Sequence, residues 1–239
     1  MQGGVRKRLQ ACYDRLWSAT IGKIRAGNLE LDPVLESGLP DARRGLSVIA
    51  QPSADVRRRV TTFLSELRRL EPKQHYYAPA ELHVTVLSLF TATTKYEPYF
   101  SRTREYVAVV DSALRESKPF RIEFAGITIS LGAIMIQGFF SDDSLNNFRN
   151  ALRQQLTARG LDEEVDERYR LETAHMTVAR FRASLRNSER FATRLEDARQ
   201  LEFGRVDVRS VSLAKHDWYL SRQYFEMVKR YRLPAGGGF

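Results

Sequence analysis

Two short phrases in the chain each place an imidazole two residues before a hydroxyl. Leu82-His83-Val84-Thr85-Val86 and Ala174-His175-Met176-Thr177-Val178 share the pattern His-x-Thr with apolar flanks. On a β-strand, residues two apart share a face, so His83 and Thr85 point one way and Leu82, Val84 and Val86 the other. The second phrase sets His175 and Thr177 against Ala174, Met176 and Val178 in the same manner. Two such strands facing one another across a groove would supply a paired acid–base site with two hydroxyls for an anion. The chain has four histidines, His75, His83, His175 and His216. Ser and Thr together are roughly one residue in eight of an average chain, so two matches among four are not a compositional accident.

The elements that must position these phrases follow from apolar periodicity. Val5, Leu9, Tyr13, Leu16, Trp17, Thr20 and Ile24 fall at helical spacing, which predicts an amphipathic helix over 4–25 ended at Gly27. Residues 26–43 read as an irregular connection. A buried strand over 46–50 precedes a helix capped by Ser53 that stops before Pro72. A loop over 72–80 leads to the first His-x-Thr strand, at about 81–90. A helix over 98–117 follows, then a hairpin from Phe120 to Phe140 turning at Gly132. Ser141 is expected to cap the next helix, which Gly160 closes. An acidic loop from Asp162 to Glu167 leads to the second His-x-Thr strand, at about 172–181. A helix over 187–200 and two strands, about 205–214 and 218–231, complete the order.

The unit over 44–117 resembles that over 133–200. The expected fold is therefore α+β and bilobal, a duplicated domain with two antiparallel sheets facing a central groove and helices outside. The expected divisions are 1–43 for the N-terminal helix and connection, 44–233 for the bilobal domain, and 234–239 for a flexible tail. The N-terminal helix would cap a lobe, mediate dimerisation or cover the groove.

Composition narrows the functional classes. The 239 residues carry a net charge of +9, with arginine dominant among the cations, and the sequence pI is about 9.8. That favours an anionic partner such as a phosphate ester, nucleotide or RNA. The single Cys12 excludes an internal disulfide framework and a multi-cysteine metal site. No apolar run approaches the length of a membrane span, and the charged N-terminus does not read as a secretory signal. A cytoplasmic protein with no membrane partner is the expectation.

The arrangement resembles the 2H phosphoesterase superfamily, which includes 2′-5′ RNA ligase and RNA 2′,3′-cyclic phosphodiesterase proteins. The resemblance rests on His83-Val84-Thr85-Val86, His175-Met176-Thr177-Val178, the following Ala179-Arg180-Phe181, the opening strand from Arg44 to Ala50 with Pro52 after it, and a closing pair that contains Trp218-Tyr219. It covers about residues 44–233. It implies a metal-independent phosphodiesterase, without cofactor, acting on a 2′,3′-cyclic phosphate or a 2′-5′ phosphodiester of RNA or a nucleotide.

In such a reaction His83 and His175 supply the base and the acid, and Thr85 and Thr177 donate to the non-bridging oxygens. Which imidazole is acid and which base stays open. Neither phrase has a carboxylate or thiol at ligand spacing, which argues against a metal. Arg180 lies three residues past Thr177. Strict alternation turns it away from the hydroxyl, so it reaches a phosphate only if the strand twists or bulges. Tyr219 is the first candidate among the aromatics for stacking a base, with Tyr76, Tyr77, Phe90, Phe181 and Trp218 also in view. His75 and His216 read as loop residues. The rival readings are an RNA- or nucleotide-binding module of the same fold without turnover, and an unrelated scaffold whose histidines are structural.

Overall fold

The structure, a computed structural model, describes residues 2–163, 165 and 170–234. The expected flexible tail and part of the acidic loop lie outside the described residues. Helix α1 (Gln2–Arg25) buries Leu9, Tyr13 and Ile24, and the chain leaves it through Gly27 at φ +79°. A short α2 (Pro33–Ser37), capped by Asp32, leads to β1 (Arg44–Ala50). Ser53 accepts the Val56 N–H at 3.3 Å and starts α3 (Ala54–Leu70), whose inner face is Val56, Val60, Phe63, Leu64 and Leu67. After β2 (His75–Tyr76) comes β3 (Val84–Thr93), so the expected loop over 72–80 contains a two-residue strand.

Four other boundaries differ from the expectation. The helix over 98–117 is two, α4 (Glu97–Ser101) and α5 (Thr103–Leu114), interrupted at Arg102. Beyond the hairpin of β4 (Phe120–Ser130) and β5 (Ala133–Phe139), helix α6 (Ser144–Thr157) starts after Asp143, so Ser141 is not its cap. The second His-x-Thr strand is the short β6 (Met176–Arg180), followed by α7 (Ser188–Asp197) with Asn187 as its cap. The closing strands are three: β7 (Glu202–Val208), β8 (Ser210–His216) and β9 (Glu226–Arg232). Val206 and Val208 alternate in one phase and Val211 and Leu213 in the other. The slip at Arg209 marks the point where the chain leaves one sheet for the other.

The first sheet has strand order β3-β1-β8-β9 and the second β2-β6-β5-β4-β7, with antiparallel pairs in both. The internal duplication is the order β1-α3-β3-α5 and β5-α6-β6-α7. Each crossover helix reaches the opposite lobe. Phe63 of α3 meets Phe203 of β7 edge-on at 5.7 Å, and α6 lies against β3 and α5. Helix α1 caps the second sheet, where the Tyr13 hydroxyl donates to the Gly138 carbonyl at 3.0 Å and the Thr128 hydroxyl to the Tyr13 carbonyl at 2.8 Å. One continuous core therefore spans both lobes and α1.

Candidate active site

His83 and His175 each stand one residue ahead of their strand, and both open onto the same cleft of about 190 Å³ between the lobes. Thr85, Thr177, Arg180, Tyr77, Ser47, Ser88, His216 and Trp218 also line it. The paired His-x-Thr residues predicted from spacing thus converge in one place. No carboxylate is among the described residues that line the cleft, and among the described residues no three His, Cys, Asp or Glu side chains cluster as metal ligands.

A matched irregularity follows each threonine. Thr85 pairs with Ile49 and Leu87 with Val48, so Val86 is an extra residue in β3. Thr177 pairs with Met135 and Ala179 with Ile134, so Val178 is an extra residue in β6. A bulge reverses the facing of everything beyond it. Ser88 and Arg180, each three past its threonine, are therefore turned back to the cleft, which meets the condition set for Arg180. Its Nε donates to the Tyr77 hydroxyl at 3.0 Å, and its guanidinium carbon lies 5.5 Å from the Trp218 ring centre. The signal is present in the sequence. The alternation breaks at Val86-Leu87 and at Val178-Ala179, the same place in both phrases.

The two imidazoles are mounted differently. His83 Nδ1 lies 2.6 Å from the Glu81 carbonyl. A carbonyl only accepts, so Nδ1 carries the proton and Nε2 of the neutral ring keeps a lone pair for the cleft. His175 Nδ1 lies 2.7 Å from the Thr173 hydroxyl, which can donate or accept. The Thr173-Ala174 backbone crosses β5 closely. A Cβ on Gly138 would fall 2.0 Å from the Ala174 carbonyl oxygen, so only glycine fits there.

Burial pushes both imidazoles down from the ordinary 6.5 to about 4. At His175 the charges of Arg149, His83 and Arg180 add to it. At His83 the Glu81 carbonyl opposes the shift, while His216 and Arg180 reinforce it. Each ring nevertheless keeps a half-buried edge toward the cleft. Both are neutral near pH 7.

Two expectations change. His216 is not an exposed loop residue; it ends β8 and is buried at the cleft, with Nδ1 on the Asp217 carbonyl at 2.6 Å and Nε2 on the Ser47 hydroxyl at 2.8 Å. Tyr219 is 5 % exposed and its hydroxyl donates to Asp32 at 2.7 Å. It backs Arg180 from 5.9 Å and does not line the cleft, whereas its neighbour Trp218 does. Sequence reasoning missed Arg149 altogether. On α6 it continues the inward stripe of Leu145, Phe148 and Leu152, and it is 0 % exposed.

A sequence model of the 2′-5′ RNA ligase superfamily matches residues 52–218. No curated protein gives a significant match. Among solved structures, the TT0787 protein of Thermus thermophilus superposes with a TM-score of 0.56 at 17 % identity, over 82 % of this chain and 100 % of that one. E. coli LigT complexed with 3′-AMP gives 0.52 at 16 % identity, over 81 % and 99 %. A structure described as a phosphoesterase gives 0.52 at 15 % identity, over 80 % and 98 %. These likenesses concern the fold. The family match spans most of the chain and both His-x-Thr phrases, and the chain belongs to the 2′-5′ RNA ligase superfamily, the 2H phosphoesterases that its paired phrases resemble.

Proposed function

We propose that the chain is a metal-independent phosphodiesterase that opens 2′,3′-cyclic phosphates, or cleaves 2′-5′ phosphodiesters, on RNA ends or nucleotides. The observation that carries this reading is the convergence of His83, His175, Thr85 and Thr177 on one cleft. Hydrolysis of a cyclic phosphate passes through a five-coordinate phosphorus with added negative charge. One imidazole takes a proton from water while the other gives a proton to the departing ribose oxygen. Thr85 and Thr177 donate to the non-bridging oxygens and hold phosphorus between the rings. The Arg180 guanidinium offsets the added charge. An entering phosphodiester anion favours the imidazolium form, so substrate itself raises one depressed pKa toward the value an acid needs.

E. coli LigT has been solved with 3′-AMP and with ATP, and nucleotides in that fold agree with a nucleotide or RNA end as ligand here. Trp218, at the cleft wall beside Arg180, is the ring placed to stack on a base. The net charge of +9 supports contacts beyond a single phosphate.

The test is turnover of a 2′,3′-cyclic mononucleotide, a short oligoribonucleotide with a 2′,3′-cyclic end and a 2′-5′-linked dinucleotide, each with and without EDTA. Turnover that survives chelation is expected. The oligomer should be favoured in kcat/KM, with a preference that shrinks as salt rises. Tight binding of all three without turnover would replace this reading with a binding module. Activity abolished by EDTA and restored by a divalent ion would refute the mechanism.

A further inference from the structure

The carbonyl of Val86, the extra residue of β3, is held by a side chain from the other half of the molecule. Arg149, from α6 of the duplicated unit, donates to it through Nε at 2.8 Å. Its Nη2 reaches the Thr173 carbonyl at 2.7 Å and the Thr85 carbonyl at 3.3 Å. One planar guanidinium therefore joins the first His-x-Thr strand to the residue two places before His175. Thr173 then carries the link onward, since its hydroxyl is the partner of His175 Nδ1. The counterpart bulge carbonyl, Val178, is met instead by the Tyr77 backbone N–H at 3.1 Å.

We propose that Arg149 and Thr173 are positioning residues that fix the spacing and ring orientation of His175 relative to the Thr85 strand across the cleft. The inference rests on the proposed phosphodiesterase reading for its kinetic consequence, though not for its structural one. A guanidinium suits the task because its donors lie in a rigid plane and reach several carbonyls at once; an ammonium in the same place is a point charge that cannot span them. Burying so large a cation is costly, and the three carbonyls offset part of that cost. Proton transfer is sensitive to small displacements, so loosening this mount should lower the rate of the chemical step and leave ligand capture largely intact.

Thr173→Val is near-isosteric and removes only the hydroxyl; Thr173→Ser restores it; Arg149→Lys keeps the charge and loses the plane. Turnover is to be scored per folded molecule, well below each variant's melting temperature. Thr173→Val and Arg149→Lys should each lower kcat by about 100-fold, with KM within about threefold, and Thr173→Ser should recover most of the loss. In parallel, imidazole nitrogen NMR should show the His175 tautomer balance and titration altered in Thr173→Val, with His83 unchanged. Among the described residues, the cations Arg149 and Arg180 and the titratable His83 act on His175, so its titration is read with all three named. Wild-type turnover together with unchanged His175 signals in the variants would overturn the proposal and leave the phosphodiesterase reading intact. An inactive wild-type protein whose His175 signals still respond would do the reverse. Should Arg149→Lys fail to fold, the Thr173 pair still decides the matter.

Discussion

The two lobes share a backbone and its His-x-Thr pair, and differ in the polar side chains that surround that pair in the cleft. Both place a histidine just ahead of a strand, a threonine two residues on, and a bulge immediately after it. Beyond the bulge the first lobe presents Ser88, hydrogen-bonded to Ser47 at 3.1 Å, and Ser47 is in turn held by His216. The second presents Arg180, backed by Tyr77 and Trp218. The first histidine is held by its own backbone and the second by a threonine hydroxyl. Duplication thus supplies the symmetric pair that acid–base chemistry requires, while divergence at equivalent positions makes one end of the cleft cationic and the other hydroxylic.

The sharpest way to break this comparison is to remove each imidazole in turn. His83→Ala and His175→Ala should each lower kcat by at least about 100-fold, the usual contribution of one general acid or base. Near-equal losses support two interchangeable partners; a loss confined to one variant would mean that the lobes share a shape without sharing the chemistry. Steady-state kinetics with the best cyclic substrate, together with circular dichroism to confirm folding, gives the answer.

The next effect in size separates the equivalent positions past the bulges. Arg180→Gln removes a charge-assisted contact, worth about 1.5–3 kcal/mol, and should lower kcat/KM by roughly ten- to a hundredfold. Ser88→Ala removes a neutral hydrogen bond of about 1 kcal/mol and should cost less than tenfold. If the two variants behave alike, the cleft is not polarised in the way the side chains indicate.

How much of this is legible in the sequence depends on whether the signal is local. His83, Thr85, His175 and Thr177 are readable because strand periodicity alone places them on one face. The order of elements is readable from apolar spacing and from caps such as Ser53. Arg180 stays undecided under unbroken alternation, although the consecutive apolar pairs Val86-Leu87 and Val178-Ala179 record the bulges. The three closing strands read as two because the phase slip at Arg209 falls within an otherwise regular run. His216 and Arg149 are beyond local reasoning. Each is defined by partners far along the chain, Ser47 for the one and the Thr85–Val86 carbonyls for the other. A polar residue in a helix stripe says nothing by itself of where its donors end.

The depressed histidines couple the cleft to stability. Burial pushes both down to about 4 in the folded protein, while the unfolded chain takes up protons near 6.5. The unfolded state therefore binds more protons between these values. Stability should be full above pH 6.5 and fall as the pH drops toward 4, and a phosphate ligand that favours the imidazolium should lessen the fall. Melting temperature against pH should show this slope in the wild type and a flatter one in His83→Gln/His175→Gln. A slope that survives in the double variant would place the titrating groups elsewhere, with buried His216 the first to examine, since burial lowers it as well.

The smallest effects distinguish the neighbouring rings at the Arg180 end of the cleft. Trp218 lines the cleft, whereas Tyr219 is buried behind it with its hydroxyl on Asp32. Base stacking on an aromatic is worth about 1–3 kcal/mol per base when the ring is removed outright, so Trp218→Phe, which keeps a smaller ring, should cost only a few-fold in KM for a base-bearing ligand. Tyr219→Phe keeps the ring and deletes the hydroxyl that donates to Asp32 and accepts from Arg43, which should cost about 1.5–3 kcal/mol of stability and leave KM unchanged. The two are best compared using a cyclic nucleotide and a cyclic phosphate that lacks a base. Trp218→Phe should affect only the first, and Tyr219→Phe neither. A KM change in Tyr219→Phe with the nucleotide alone would return the stacking role to Tyr219 and require its ring to leave the Asp32 contact when ligand binds.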